Sequence, residues 1–85
     1  IDLHIENLLE FHGNMSNSEI LQHQMMVFRG FYKSKKSDGF RKIIAIHGVG
    51  EGVLRTEIVH FLHGQDNVDY HDADYQRFGG GATEI

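Results

Sequence analysis

Along the chain the spacing of apolar residues changes period several times. Ile1, Leu3 and Ile5 alternate with Asp2 and His4, the period of two that predicts a strand with one apolar face. Glu6 to Met15 reads as a loop in which Leu8, Leu9 and Phe11 pack back on the core, with a turn at His12-Gly13-Asn14. Ser16 stands three residues before Glu19, the pattern of a capping box. Ile20, Leu21, Met25, Phe28, Phe31 and Tyr32 follow at helical spacing, up to a lysine- and serine-rich end and a turn at Asp38-Gly39. Lys42 to His47 is a short, almost wholly apolar run that predicts a buried strand. After the glycine-rich turn Gly48–Gly52, Leu54, Ile58, Phe61 and Leu62 mark a second helix that Gly64 stops. Val68 to His71 predicts a third strand, Asp72 to Gly81 a polar loop, and Ala82 to Ile85 a fourth strand.

The predicted order is β-α-β-α-β-β. Strands that alternate with helices imply parallel neighbours joined by right-handed crossovers. Two helices cover only one face, so the expectation is a two-layer α/β sandwich with a four-stranded mixed sheet. Eighty-five residues hold one small core, so the whole of 1–85 reads as a single domain. It starts on an apparent strand at Ile1 and not on Met, which predicts an ordered piece of a longer protein with further domains upstream.

Composition removes several classes. Without cysteine there is no disulfide scaffold, no cysteine-ligated zinc and no thiol nucleophile. No apolar run reaches the roughly 20 residues of a membrane helix, and nothing reads as a signal peptide, so no membrane partner and a cytoplasmic location are expected. The net charge of −4 argues against a protein that holds nucleic acid by bulk charge. That average conceals a partition. Arg29 to Arg55 carries seven basic residues against two acidic ones, a net of +5, while the remainder carries Arg77 against ten acids, a net of −9. The basic stretch is either a solvated helix end or a local phosphate-contacting patch.

In an open α/β sheet, ligands bind beyond the carboxyl ends of the strands. That rule brings His4, His47 and the group Asp72, Asp74, Tyr75 and Arg77 to one rim. The turn His47-Gly48-Val49-Gly50-Glu51-Gly52 lies at its centre. Glycines let the backbone adopt positive φ, the helix amides beyond favour an anion, and Arg55 adds a bidentate donor. The turn lacks the ending of a Walker loop and the spacing of a dinucleotide fingerprint. By spacing alone it reads equally as a steric necessity of a strand-to-helix connection.

These residues resemble the Smr (small MutS-related) domain. That family has an opening Leu-Asp-Leu-His-Gly strand, a central His-Gly-x-Gly-x-Gly-x-Leu-Arg turn and a final Gly-Gly-x-Gly segment. Here they correspond to Ile1-Asp2-Leu3-His4, with Ile5 in place of the glycine, to His47 through Arg55 at every defined position, and to Gly79-Gly80-Gly81-Ala82-Thr83 more loosely. The link from Glu6 to Met15 is longer than the family's usual one. The resemblance implies a βαβαββ sandwich that binds DNA or RNA, often as a nicking endonuclease. Carried over by position, it implies Asp2, His4 and His47 as catalytic residues. It implies phosphate contacts from Gly48, Gly50, Gly52 and Arg55, with Lys42 and Arg77 as further candidates.

Phosphodiester cleavage needs an activated nucleophile and charge stabilisation on the phosphoryl oxygens. Histidine titrates in the range where it serves as acid or base near neutral pH. Asp2 could orient a histidine or hold Mg²⁺ or Mn²⁺, the candidate cofactors. The alternative is an Asp2–His4 pair that only bonds along the strand edge. Two other groups carry less: His60 and His63, one helical turn apart with His71-Asp72 nearby, as metal ligands or surface residues, and Asp66, Asp69, Asp72 and Asp74 as a solvated face that repels phosphate. The leading expectation is a module of a MutS-related DNA repair or recombination protein that nicks nucleic acid, branched or structured DNA first and RNA second. The alternatives are a non-catalytic nucleic-acid-binding or partner-docking module and, third, an adaptor without nucleic acid.

Overall fold

In a computed structural model describing residues 1–85, the capping box starts the longest element. Ser16 Oγ accepts the Glu19 amide, Glu19 accepts the Ser16 amide in return, and α2 runs Asn17–Ser37. Its buried stripe is Met25, Phe28 and Tyr32. Helix α3 (Val53–His63) buries Leu54, Ile58 and Leu62 against the same core, to which Leu3 and Ala45 contribute from the sheet. Phe28, Tyr32 and Phe61 pack with ring centroids 5.4 to 6.2 Å apart, two of the three pairs edge-on. Such pairs add about 0.5–1.5 kcal/mol each beyond the area they bury. No helix is long and apolar enough to cross a membrane.

The architecture is mixed α/β, but the sheet has three strands where the sequence pattern predicts four. β1 (Ile44–Ile46), β3 (Ala82–Glu84) and β2 (His71–Asp72) lie in the order β1-β3-β2, both pairs antiparallel. Ala45 faces Thr83, and Asp72 faces Thr83 from the other side. The N-terminal segment joins β1 only through a parallel bridge, Asp2 opposite Ile46, with Ile46 N donating to Ile1 O and Leu3 N to Ile46 O.

The alternation that predicts a strand as far as Ile5 breaks because Asp2 Oδ1 accepts the His4 amide at 2.9 Å, an Asx turn that bends the chain. Ile5–Leu8 then forms a short helix, α1, instead of extended chain. Leu8 packs on the core as expected, whereas Phe11 is exposed.

β2 begins at His71 and not at Val68, since pairing with β3 starts only where His71 meets Glu84. The predicted loop after it contains a helical turn, α4 (Tyr75–Phe78), started by Asp74 accepting the Gln76 amide and ended by Gly79 in the left-handed region.

Candidate functional site: a histidine–glycine rim

β1 and β2 each run antiparallel to β3, so they point the same way, and the N-terminal segment runs with β1. Their carboxyl ends therefore share one edge. It carries His4, His47 with its glycine turn, and Asp72. The start of β3 closes this edge: Gly81 O accepts both the His47 and Gly48 amides, at 2.8 and 2.9 Å. A Cβ on Gly81 would lie 3.1 Å from Phe78 O and 3.4 Å from the Gly48 backbone, so the two glycine segments touch directly.

His4 is the accessible titratable ring on this edge. Its Nδ1 lies 2.7 Å from Asp2 Oδ1, and Asp2 Oδ2 accepts from Asn7 Nδ2 at 3.0 Å. The His4 amide, foremost, together with the His4 ring and Asn7, holds the Asp2 carboxyl below its ordinary value against a smaller opposing effect of burial. An ionised Asp2 only accepts, so Nδ1 carries a proton toward it and Nε2 is left for chemistry. Nε2 faces Gly48. A Cβ there would sit 2.8 Å from it, and Gly48 also holds φ at +81°, so both space and backbone demand glycine.

His47 is placed differently. It is 8% exposed, its Nδ1 lies 2.9 Å from Gly48 O, and its Nε2 lies 2.9 Å from Thr83 Oγ1. A carbonyl only accepts, so Nδ1 donates to Gly48 and Nε2 accepts from the Thr83 hydroxyl. Burial pushes the His47 pKa below the ordinary histidine value; the bond to Gly48 O opposes this and the Arg55 charge adds to it. The neutral ring joins the glycine turn to β3.

The turn supplies donors. Gly52 N-caps α3 at φ +81° without a side-chain cap, and no acidic residue occupies the first turn of the helix. The amides from Gly50 to Leu54 have no partner within the protein. Those unpartnered amides suit an anion, and the helix macrodipole reinforces them. The Gly48 amide, by contrast, is used by Gly81. Arg55 stands one turn into α3, with Nη2 2.7 Å from Asp72 Oδ1. That bond holds the Asp72 carboxyl low and steadies the guanidinium beside the rim, with its other donors remaining for a ligand.

Of the two further candidate phosphate contacts, Lys42 falls away from the rim and Arg77 borders it. Lys42 precedes β1 at the opposite end of the sheet, 3.4 Å from Glu84 Oε1. Five residues of extended chain place it roughly 16 Å from His47. Arg77 lies on α4, with its guanidinium carbon 5.1 Å from the Phe78 ring centroid, just before the glycines that abut Gly48.

No three His, Asp or Glu side chains converge as metal ligands. His63 Nδ1 is 2.7 Å from the Tyr70 hydroxyl, His71 is 3.2 Å from Glu84, and His60 is exposed. Asp66 and Asp69 are exposed, while Asp72 and Asp74 hold Arg55 and cap α4. Asp2 has no second carboxylate beside it, and its oxygens bond His4 and Asn7. The donor set does not fit a divalent cation held by protein groups alone.

Two partners escape the sequence pattern. Thr83 is polar but 2% exposed, and Asn7 lies in the predicted loop. Only Thr83 leaves a trace in the sequence, as a hydroxyl in an otherwise apolar strand start. A sequence model of the Smr domain matches residues 1–85, the entire chain. Neither a curated protein nor a solved structure matches it.

Proposed function

We propose that this chain, which belongs to the Smr domain family, seats a nucleic-acid phosphodiester on the histidine–glycine rim and nicks it. Smr domains generally bind nucleic acids and are nuclease-like, which sets the ligand class. The observation that carries the reading is the Asp2–His4 pair, which sets Nε2 against Gly48, two residues before the row of unpartnered amides in the same turn.

In this mechanism His4 Nε2 takes a proton from the attacking water, or from a 2′-hydroxyl in RNA, as the new P–O bond forms; the P–O bond opposite breaks and the leaving oxygen takes its proton from solvent. Asp2 holds the tautomer and offsets the imidazolium that forms. The amides from Gly50 to Leu54 and the Arg55 guanidinium stabilise charge on the phosphoryl oxygens. His47 acts as a positioning residue that fixes the turn through Gly48 O and Thr83. Arg77 adds a phosphate contact from α4. The parent is a MutS-related repair or recombination protein, with branched DNA as the preferred substrate.

Supercoiled plasmid and structured RNA incubated with the domain test this, with Mg²⁺, Mn²⁺ or chelator as separate arms. His4→Gln lowers the cleavage rate by about 10²–10⁴ with affinity retained, and Asp2→Asn lowers it less. Unchanged nicking in both variants contradicts the assignment.

A second reading has its own support: with both His47 nitrogens bonded, the rim offers one accessible acid–base ring and no evident second. On that reading the module only binds nucleic acid for its parent. Salt-sensitive binding without cleavage under any cation would establish it.

A further inference from the structure

Four of the seven cations of the middle stretch, Lys35, Lys36, Arg41 and Lys42, gather at the end of the sheet opposite the rim, around a cleft of about 450 Å³ between the end of α2 and the start of β1. Phe40 is 57% exposed there. Lys35 Nζ stands 4.5 Å from the Phe40 ring centroid and 5.5 Å from that of Phe31. Lys36 donates to the Tyr32 hydroxyl and to Asp66 O, both neutral acceptors. Neither lysine, nor Arg41, has a carboxylate within 4.0 Å; of the cations lining the cleft only Lys42 does, through Glu84. An exposed ring thus carries a cation on its face, with two further cations that have no carboxylate partner beside it, in a cleft whose four Lys and Arg residues outnumber its two acids, Asp69 and Glu84.

We infer that this end is a second contact site for single-stranded nucleic acid: a base stacks on Phe40 while Lys35, Arg41 and Lys42 meet the flanking phosphates. Stacking needs an unpaired base with an open π-face, which a duplex hides and an acidic peptide lacks. The cations alone would serve any polyanion, so Phe40 selects among occupants. At roughly 16 Å from the rim, the site engages a strand beyond the phosphodiester held at His4. The inference rests on nucleic acid being the ligand of the rim.

Fluorescence anisotropy of the 85-residue chain with an oligothymidylate of about 12 nucleotides tests it, beside a blunt duplex and polyglutamate as competitors. Phe40→Ala weakens single-strand binding about five-fold or more, Phe40→Tyr restores it, and the duplex responds to neither. Lys35→Gln with Lys42→Gln lowers the single-strand salt slope by about 0.7 for each lost contact. Full affinity in Phe40→Ala while Arg55→Ala weakens binding overturns the second site and leaves the rim standing. A wild-type chain that binds no nucleic acid overturns both. Equal loss on duplex, or displacement of the strand by polyglutamate at similar concentration, overturns single-strand recognition. These side chains lie at the surface, so matching circular dichroism shows that the variants fold.

Discussion

The two ends of the sheet treat charge in opposite ways. At the rim, Arg55 is paired with Asp72, the donors are backbone amides, and the histidines are held by Asp2, Gly48 and Thr83. At the far end, lysines lie over aromatic rings with little to fix them. On the proposed function the difference separates two tasks. Backbone donors on a short, cross-bonded turn would set where a phosphate sits at little entropic cost, while long, loosely held cationic side chains would attract a polyanion. A net charge of −4 hides this division, since acids stand at both ends as well, Asp2 and Asp72 on the rim and Asp69 and Glu84 at the far cleft.

Gly48→Ala is the sharpest way to break the comparison. It forces an alanine to φ +81° and drives a methyl group against His4 Nε2. Strain of this kind costs roughly 1–3 kcal/mol. In a domain this small each kcal/mol lowers the melting temperature by about 4–8 °C. Calorimetry should show that loss and cleavage should vanish, while single-strand binding at Phe40 persists.

A smaller effect follows from pH. His47 has a folded pKa below its unfolded value of about 6.5. Below that value the unfolded chain takes up a proton that the fold refuses, so stability falls as pH drops through about 6.5 toward the lowered folded value. Asp2 and Asp72 are shifted down, so their contribution is present above about pH 4 and is lost as pH falls through their lowered folded values. Urea titrations should show two separate windows. His47→Gln removes the upper one only, and an unchanged upper window would contradict the buried neutral ring.

Asp72→Asn should have the least effect on stability, because the pair is exposed. It releases Arg55, so affinity for duplex and single strand should rise together at low salt. Such a uniform gain distinguishes the rim from the far end, where Phe40 discriminates between the two.

Much of the helical layer is legible in the sequence, because a capping box and a 3.6-residue period are local signals. Ser16, Glu19 and the buried stripe through Phe28 fall where the pattern places them. The shared rim is legible as well, since strand direction brings His4, His47 and Asp72 to one edge. The first strand is not: alternation from Ile1 to Ile5 looks extended, and only the Asp2 side chain taking the His4 amide turns it into a bridge and helix.

The role of His47 is also hidden. Both histidines end strand-like segments, and the Asp2–His4 pair is local enough to read from the sequence, but His47 meets Thr83, which lies 36 residues away. Lys42 shows a different limit. It is close in sequence to the glycine turn, but an extended strand carries its two ends apart, so the basic stretch divides between both ends of the sheet.

Amide chemical-shift mapping on addition of a short oligonucleotide tests the central claim most directly. The amides from Gly50 to Arg55 should move with both single strand and duplex, and they should stop responding in Gly48→Ala. If these amides stay in place while shifts occur only around Lys35, Phe40 and Lys42, the rim is not the phosphate site.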